Sequence, residues 1–84
     1  MIKWNDDKSK FLQFERGVSF EEIAVKLADN DIIDIIENQN FPNQMIFVME
    51  INEYIYAVPF VMDGIDVFLK TIYPSRKLMK KYRG

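Results

Sequence analysis

The stretch MIFVMEINEYIYAVPFVM, from Met45 to Met62, decides the fold of this chain. It contains two runs rich in β-branched and aromatic residues, Met45–Ile51 and Tyr54–Met62, separated only by Asn52 and Glu53. Runs of this composition are typical of strands, and a two-residue turn is enough to join antiparallel strands. The stretch therefore predicts the central hairpin of an antiparallel sheet.

Two further strands are predicted on either side of this hairpin. Asp63-Gly64 is a strong signal for a two-residue turn of type I′, and Ile65–Tyr73 follows it as the last strand. Ile32–Glu37 is rich in isoleucine and is interpreted as a strand, with a continuing helix as the alternative. Pro59 cannot donate a backbone hydrogen bond, so it indicates a sheet edge or a bulge.

The N-terminal part of the chain predicts two helices after a short edge strand at Ile2–Trp4. Asn5 is a good N-cap for a helix that runs to about Arg16 and ends at Gly17. A second helix follows, because Ser19-Phe20-Glu21-Glu22 is a capping box and the apolar residues after it recur at helical spacing. It should end near residues 29–30.

The last fifteen residues, KTIYPSRKLMKKYRG, form a basic segment on an acidic body. They carry a charge of +6 and no acidic residue, so the total of −2 leaves −8 for the first 69 residues. Ser75 is a suitable N-cap for a short helix that ends near Arg83. Cations at the start of a helix and like charges one turn apart are locally unfavourable, so this helix is expected to meet an anionic partner.

Together these elements predict an α+β fold in a single domain, residues 1–84. Two N-terminal helices pack on a four-stranded antiparallel sheet, and a short basic C-terminal helix follows. The strands are apolar on both faces, so the second face should be covered by that helix or by a partner chain.

The composition excludes several classes of function. The chain has no cysteine and no histidine, which excludes disulfides, a zinc site of the usual ligands and a histidine general base. No glycine-rich phosphate loop and no calcium-loop spacing occur. We therefore expect no metal and no cofactor. The absence of a signal peptide and of a long apolar run predicts a cytoplasmic protein without membrane contact.

Three segments of the chain resemble the BrnT family of bacterial toxins, which belongs to the RelE-like ribonuclease superfamily. The family pattern is roughly aromatic-x-Trp-Asp-x-x-Lys, then Lys-His-Gly-Val-Ser-Phe-Glu-Glu, then Arg-x-Ile-Ser-Ala-Arg-Lys. The matching residues are Ile2-x-Trp4-Asn5-x-x-Lys8, then Gly17-Val18-Ser19-Phe20-Glu21-Glu22, then Lys70-Thr71-Ile72-Tyr73-Pro74-Ser75-Arg76-Lys77, with Tyr82 beyond. Two departures stand out. Arg16 replaces the histidine, and Pro74-Ser75 replaces Ser-Ala.

The resemblance implies a RelE-like fold and a metal-independent endoribonuclease that cleaves mRNA. It also implies neutralisation by a ribbon-helix-helix antitoxin and contact with operator DNA only through the toxin–antitoxin complex. The implied assembly of the chain is a homodimer or a heterotetramer with the antitoxin. The catalytic residues carried over are Arg76, Lys70 and Lys8, to which Tyr82 is added. The RNA-binding residues are then Lys77, Lys80, Lys81, Arg83 and Arg16.

Cleavage of RNA by its own 2′-hydroxyl needs a base, a cation for the pentacoordinate phosphorus and an acid for the leaving oxygen. In this hypothesis Arg76 binds the phosphate, Lys70 with a lowered pKa is the base, and Tyr82 or Tyr73 supplies a proton. Strand alternation places Lys70 on the same face as Ile72, which favours Tyr82. The alternative is a non-catalytic module whose basic C-terminal helix binds an acidic protein or RNA.

Overall fold

The computed structural model describes all 84 residues, Met1–Gly84, as three helices and a six-stranded mixed sheet. The strands lie in the order β1-β5-β4-β3-β2, and β6 pairs with β4. No helix is long and apolar enough to cross a membrane. In chain order the elements are β1 (Ile2–Lys3), α1 (Asp6–Arg16), α2 (Phe20–Ala28), β2 (Asp34–Glu37), β3 (Met45–Ile51), β4 (Tyr54–Asp63), β5 (Asp66–Leu69), β6 (Tyr73–Pro74) and α3 (Arg76–Arg83).

The ends of the first two helices are fixed by the predicted caps. The side chain of Asn5 accepts a hydrogen bond from the Lys8 N–H at 2.9 Å, and Ser19 accepts one from Glu22 at 3.2 Å. Gly17 ends α1 in the left-handed region, with φ of 70°, and its N–H donates to the Gln13 carbonyl. Glycine reaches this conformation at no steric cost, so the helix stops there.

The central hairpin is confirmed, with Ile51 paired to Tyr54 across the predicted two-residue turn. Asn52 and Glu53 both have positive φ, of 52° and 66°. Two positive φ values at the central positions are the requirement of a type I′ turn. This turn matches the right-handed twist of the flanking strands, so β3 and β4 stay paired up to the turn.

The second hairpin turns one residue later than predicted. Asp63 pairs with Asp66, so the turn residues are Gly64 and Ile65 rather than Asp63 and Gly64. Only Gly64 has a positive φ, which excludes type I′. The repulsion between the paired carboxylates of Asp63 and Asp66 is offset because Asp66 forms ion pairs with Lys3, at 2.9 Å, and with the chain's N-terminal amine, at 3.1 Å.

The predicted strand Ile65–Tyr73 is divided by a bulge into β5 and β6. Leu69 pairs with Phe60 and Tyr73 pairs with Ala57, so three residues (70–72) face two (58–59). The proline at position 59 explains the break, because it has no N–H for the ladder, although its carbonyl accepts from the Lys70 N–H at 2.8 Å.

The bulge also interrupts the strand alternation on which the predicted orientation of Lys70 depended. Leu69 and Ile72 are three residues apart, yet both are buried in the same core cluster. Simple alternation along a strand would put residues three apart on opposite faces. Alternation along an unbroken strand therefore does not apply between Lys70 and Ile72.

The sheet is larger than the predicted four antiparallel strands, and it is mixed. β1 forms the edge expected near Ile2 but runs parallel to β5, with Ile2 paired to Val67 and Lys3 to Phe68. A two-residue strand is too short to show a hydrophobic period, and its partner lies more than sixty residues away. β2 also begins later than predicted, at Asp34.

Both faces of the sheet are covered by helices, and each covered face forms a core cluster. The first cluster joins α1 and α2 to the sheet and contains Leu12, Val18, Phe20, Ile23, Phe47, Met49, Ile51, Val58, Phe60, Leu69 and Ile72. The second contains Ile46, Val48, Ile55, Ala57 and Leu78 of α3, with Tyr73, Met79 and Tyr82 packed against it. Of the two alternatives for the second face, the C-terminal helix is the one that the structure places there.

Candidate nucleic-acid interface

Helix α3 carries most of the cations of the basic segment. Ser75 caps the helix by accepting a hydrogen bond from the Leu78 N–H at 3.1 Å, as predicted. Leu78 is buried; Arg76 and Lys80 lie on the side of the helix opposite it, whereas Lys77 and Lys81 lie at its flank. All four cations are exposed, and we call them the cationic face.

Two polar contacts fasten the end of α3 to the sheet. The hydroxyl of Tyr82 donates a hydrogen bond to the Asp34 carboxylate at 2.6 Å, and Arg83 forms an ion pair with Glu50. The pKa of Asp34 is lowered, mainly by the hydrogen bond from Tyr82 and to a lesser extent by the hydrogen bond from the Ile35 N–H. The same hydrogen bond, followed by partial burial, raises the pKa of Tyr82. Tyr82 thus has a structural partner within the chain.

The cationic face has no such partner. Arg83 makes the only ion pair of α3, and none of the four residues of the cationic face lies within 4 Å of a carboxylate oxygen. A carboxylate from the rest of the chain therefore neutralises only Arg83 of this helix, and that carboxylate is Glu50 of the sheet. Four positive charges on a helix about 12 Å long are left for solvent or a ligand.

Two of the predicted catalytic residues share a depression that no residue of α3 lines. Lys8 of α1 and Lys70 of the bulge line a shallow hollow of about 570 Å³ that also contains the Asp7 carboxylate. The Lys70 ammonium lies 5.4 Å from the centre of the Phe68 ring, close enough for a cation–π contact. Its surroundings are therefore mixed in charge rather than purely cationic.

The other two predicted catalytic residues do not line that hollow. Arg76 belongs to the cationic face of α3, and Tyr82 packs against the second core cluster beside Asp34. Lys8 lies on α1, which covers the opposite face of the sheet. The structure thus pairs Lys8 with Lys70 and separates both from Tyr82.

Arg16 is exposed but also makes a structural contact. Its guanidinium donates a hydrogen bond to the carbonyl oxygen of Ile72, in the bulge between β5 and β6. Residues 16 and 72 are far apart in sequence, so this bond ties the end of α1 to the C-terminal part of the chain. The predicted part of Arg16 in an RNA-binding surface stays a prediction.

A second, more enclosed pocket lies beside α3. It has a volume of about 260 Å³ and lies between the helix and the loop that joins β2 to β3. Lys77 and Lys81 of the cationic face stand at this pocket, as do Gln39 and Asn40 of the loop. The remaining lining residues are Ile36, Glu37, Asn38, Ile46, Tyr73, Ser75 and Leu78.

The loop residues of this pocket were not predicted as functional. Asn38 is buried, and its side chain accepts from the Asn40 N–H at 3.0 Å and donates to Gln44 at 3.2 Å, which fixes the loop. A run of Asn and Gln is ordinary loop composition, so only its position against α3 distinguishes it. No local signal in the sequence could have found it.

Comparison with known proteins identifies no relative of this chain. No protein-family model, no curated protein and no solved structure matches it. Within the structure, no group of three or more carboxylates is placed to hold a metal ion. Inferences about function therefore depend on the geometry of α3 and of two of the three cavities.

Proposed function

We propose that this protein binds RNA through the cationic face of α3. The observation that supports the proposal is that Arg76, Lys77, Lys80 and Lys81 are exposed and have no carboxylate partner in a chain that is acidic elsewhere. Like charges one turn apart destabilise an isolated helix by about 0.2–0.5 kcal/mol per pair. A ligand with regularly spaced negative charges removes that repulsion, and a phosphodiester chain has such charges.

RNA is favoured over duplex DNA because of the amides and the tyrosine beside the cationic face. Lysine and arginine bind any phosphate, but unpaired RNA bases also need stacking surfaces and hydrogen-bonding groups. Tyr73, Gln39 and Asn40 lie next to Lys77 and Lys81 and are groups of this kind. An acidic protein surface would bind the cations and would not need the amides or the tyrosine beside them.

The test is RNA binding as a function of salt concentration. For single strands the slope of log affinity against log salt is about −0.7 per phosphate contacted, so four contacts give about −3. The double variant Lys77→Ala/Lys81→Ala should reduce the slope by about 1.4. Lys26→Ala is the matched control, because Lys26 lies on α2 and is paired with Asp31. An unchanged slope in the double variant would refute the proposal.

Cleavage of the bound RNA, in the manner of a BrnT-like toxin, is a second candidate function. The hollow shared by Lys8 and Lys70 supports it, since two ammonium groups could stabilise the negative charge that develops at phosphorus. A ribbon-helix-helix antitoxin as partner, and a cytoplasmic setting, belong to this same candidate. Its support from the sequence is the resemblance of the three segments described above.

Cleavage is tested by inducing the wild-type chain in a bacterium and mapping new 5′ ends in its RNA. Growth arrest with new ends, lost in both Lys8→Ala and Lys70→Ala, is the expected result. Lys10→Ala removes the same charge from α1 outside the hollow and should keep the activity. RNA that stays intact while the soluble wild-type protein accumulates would reject cleavage and leave RNA binding as the function.

A further inference from the structure

The pocket beside α3 has the chemical layout of a site for one nucleobase. Its apolar surface comes from Ile36, Ile46 and Leu78, which lie on the face of the sheet that α3 covers. Gln39 and Asn40 stand at the loop side, and their side chains make no hydrogen bond within the chain. A flat base needs such a combination, because its faces are apolar while its edges donate and accept hydrogen bonds.

The loop is held in place by bonds that leave these two amides free. The Asn38 side chain bonds to the Asn40 N–H and to Gln44, and its backbone N–H donates to the Gln44 carbonyl at 3.1 Å. These bonds involve the backbone of Asn40 but not its side-chain amide. An amide has two donor hydrogens and an acceptor oxygen, so Gln39 and Asn40 can match several base edges.

The one carboxylate in the pocket lining, Glu37, is directed to the other face of the sheet. Glu37 contributes to the lining, but it pairs with Met45, whereas its neighbour Ile36 pairs with Ile46 of the α3-covered face. Successive side chains of a strand point to opposite faces. The Glu37 side chain therefore lies on the face of α1 and α2, and the charged lining residues on the α3 side are Lys77 and Lys81. The Asp34 carboxylate, held by Tyr82, is close enough to Lys81 for this cation to contribute to its lowered pKa.

We propose that this pocket binds the base of one unpaired RNA nucleotide, with Lys77 and Lys81 on the phosphates that flank it. Tyr73 is half-buried against the second core cluster and supplies an aromatic side to the pocket. A volume of about 260 Å³ is slightly below the range of about 300–1,000 Å³ for drug-sized ligands, which suits a single base. The inference rests on the proposed RNA binding and adds a site that requires an unpaired base.

The test compares ligands of equal charge that differ only in their bases. Fluorescence anisotropy measures the affinity of the wild-type chain for an unpaired RNA decamer and for the same strand with abasic positions at its centre. Loss of one base contact is expected to weaken binding about ten-fold. In the double variant Gln39→Ala/Asn40→Ala, the difference in affinity between the unmodified and the abasic strand should shrink. The affinity for the abasic strand and the salt slope should stay unchanged.

Asn43→Ala is the control, because Asn43 lies in the same loop but does not line the pocket. Equal affinity for the two strands, or a base-dependent gain that survives in Gln39→Ala/Asn40→Ala, would overturn the pocket and leave the cationic face as a phosphate-binding surface. Free mononucleotides that bind as tightly as the decamer would overturn it in favour of a soluble nucleotide. Failure of the wild-type chain to bind any RNA would instead remove the proposed function, and the pocket with it.

Discussion

The hydroxyl of Tyr82 lies 2.6 Å from the carboxylate of Asp34 and joins the last turn of α3 to the edge strand β2. The two residues are 48 positions apart, so the bond closes the C-terminal helix over the sheet. Together with the ion pair between Arg83 and Glu50, it fixes the direction in which the cationic face points. The orientation of the proposed RNA-binding surface thus depends on a neutral hydroxyl and a charged carboxylate.

This bond predicts that α3 loosens in acid. The pKa of Asp34 is below its ordinary value of 3.8 in the folded chain, so its contribution to stability is complete above about pH 4–5 and is lost as pH falls through the folded pKa. The pKa of Tyr82 is raised above 10.0, so its contribution is lost only as pH rises beyond that value. In Tyr82→Phe, the difference in unfolding free energy from wild type should shrink at low pH.

Urea unfolding between about pH 3 and pH 7 measures this difference. Tyr54→Phe is the control, because the Tyr54 hydroxyl makes no hydrogen bond in the structure. Asp66 and Glu21 also have lowered pKa values, through Lys3 and Ser9 respectively, and their acid sensitivity should persist in both variants. A Tyr82→Phe variant whose deficit is the same at every pH would show that Asp34 is not the partner.

The helix caps and the central hairpin could be predicted because their causes are local. Asn5, Gly17 and Ser19 act within one helical turn, and Asn52 and Glu53 act within one tight turn. Short-range hydrogen bonds and allowed backbone angles decide such features. Sequence therefore suffices for the two N-terminal helices and for the pairing of β3 with β4.

The remaining features depend on contacts between distant segments. The parallel pairing of Ile2 with Val67, and the bond from Arg16 to the Ile72 carbonyl, have no local signature. Likewise, the basic composition of the C-terminal segment was visible, but the loop residues that stand beside it were not. The candidate catalytic residues do not all line one cavity, and resemblance of segments could not specify the bulge beside Lys70.

Ser9 forms a link between the first two helices that predicts a large effect on stability. Its hydroxyl is buried, donates to the Glu21 carboxylate at 2.5 Å and accepts from the Phe20 N–H at 2.9 Å. Ser9→Ala leaves the buried N–H without a partner, which costs about 1–3 kcal/mol. Denaturant unfolding should show this loss.

Ser19→Ala serves as the comparison, because it removes a hydroxyl that acts only as an N-cap at an exposed helix end. Loss of a cap typically costs about 1 kcal/mol. The expected order is therefore a larger loss for Ser9→Ala than for Ser19→Ala. The reverse order would mean that water replaces the Ser9 hydroxyl at little cost.

Arg16 is predicted to support the fold rather than RNA binding. In Arg16→Ala the carbonyl of Ile72, a fully buried residue, loses its guanidinium donor, and the unfolding free energy should fall by about 1–3 kcal/mol. Lys10→Ala, an exposed change on the same helix, should alter it by less than about 0.5 kcal/mol. Both variants should bind RNA with the wild-type salt slope; a lower slope for Arg16→Ala would return Arg16 to the RNA-binding surface.

The type I′ turn offers a way to stabilise the chain. Glu53 has a φ of 66°, a region that costs a residue with a Cβ roughly 1–2 kcal/mol, whereas glycine enters it freely. Asn-Gly is also the preferred pair for this turn, so Glu53→Gly should raise the unfolding free energy by about 1 kcal/mol.

Gly64→Ala makes the opposite change at a φ of 66°, where an added Cβ would meet no atom within 4 Å. It should destabilise the chain by backbone strain alone, and thermal unfolding of the two variants should therefore shift in opposite directions. A lower melting temperature for Glu53→Gly would show that the Glu53 side chain contributes more than the strain it imposes.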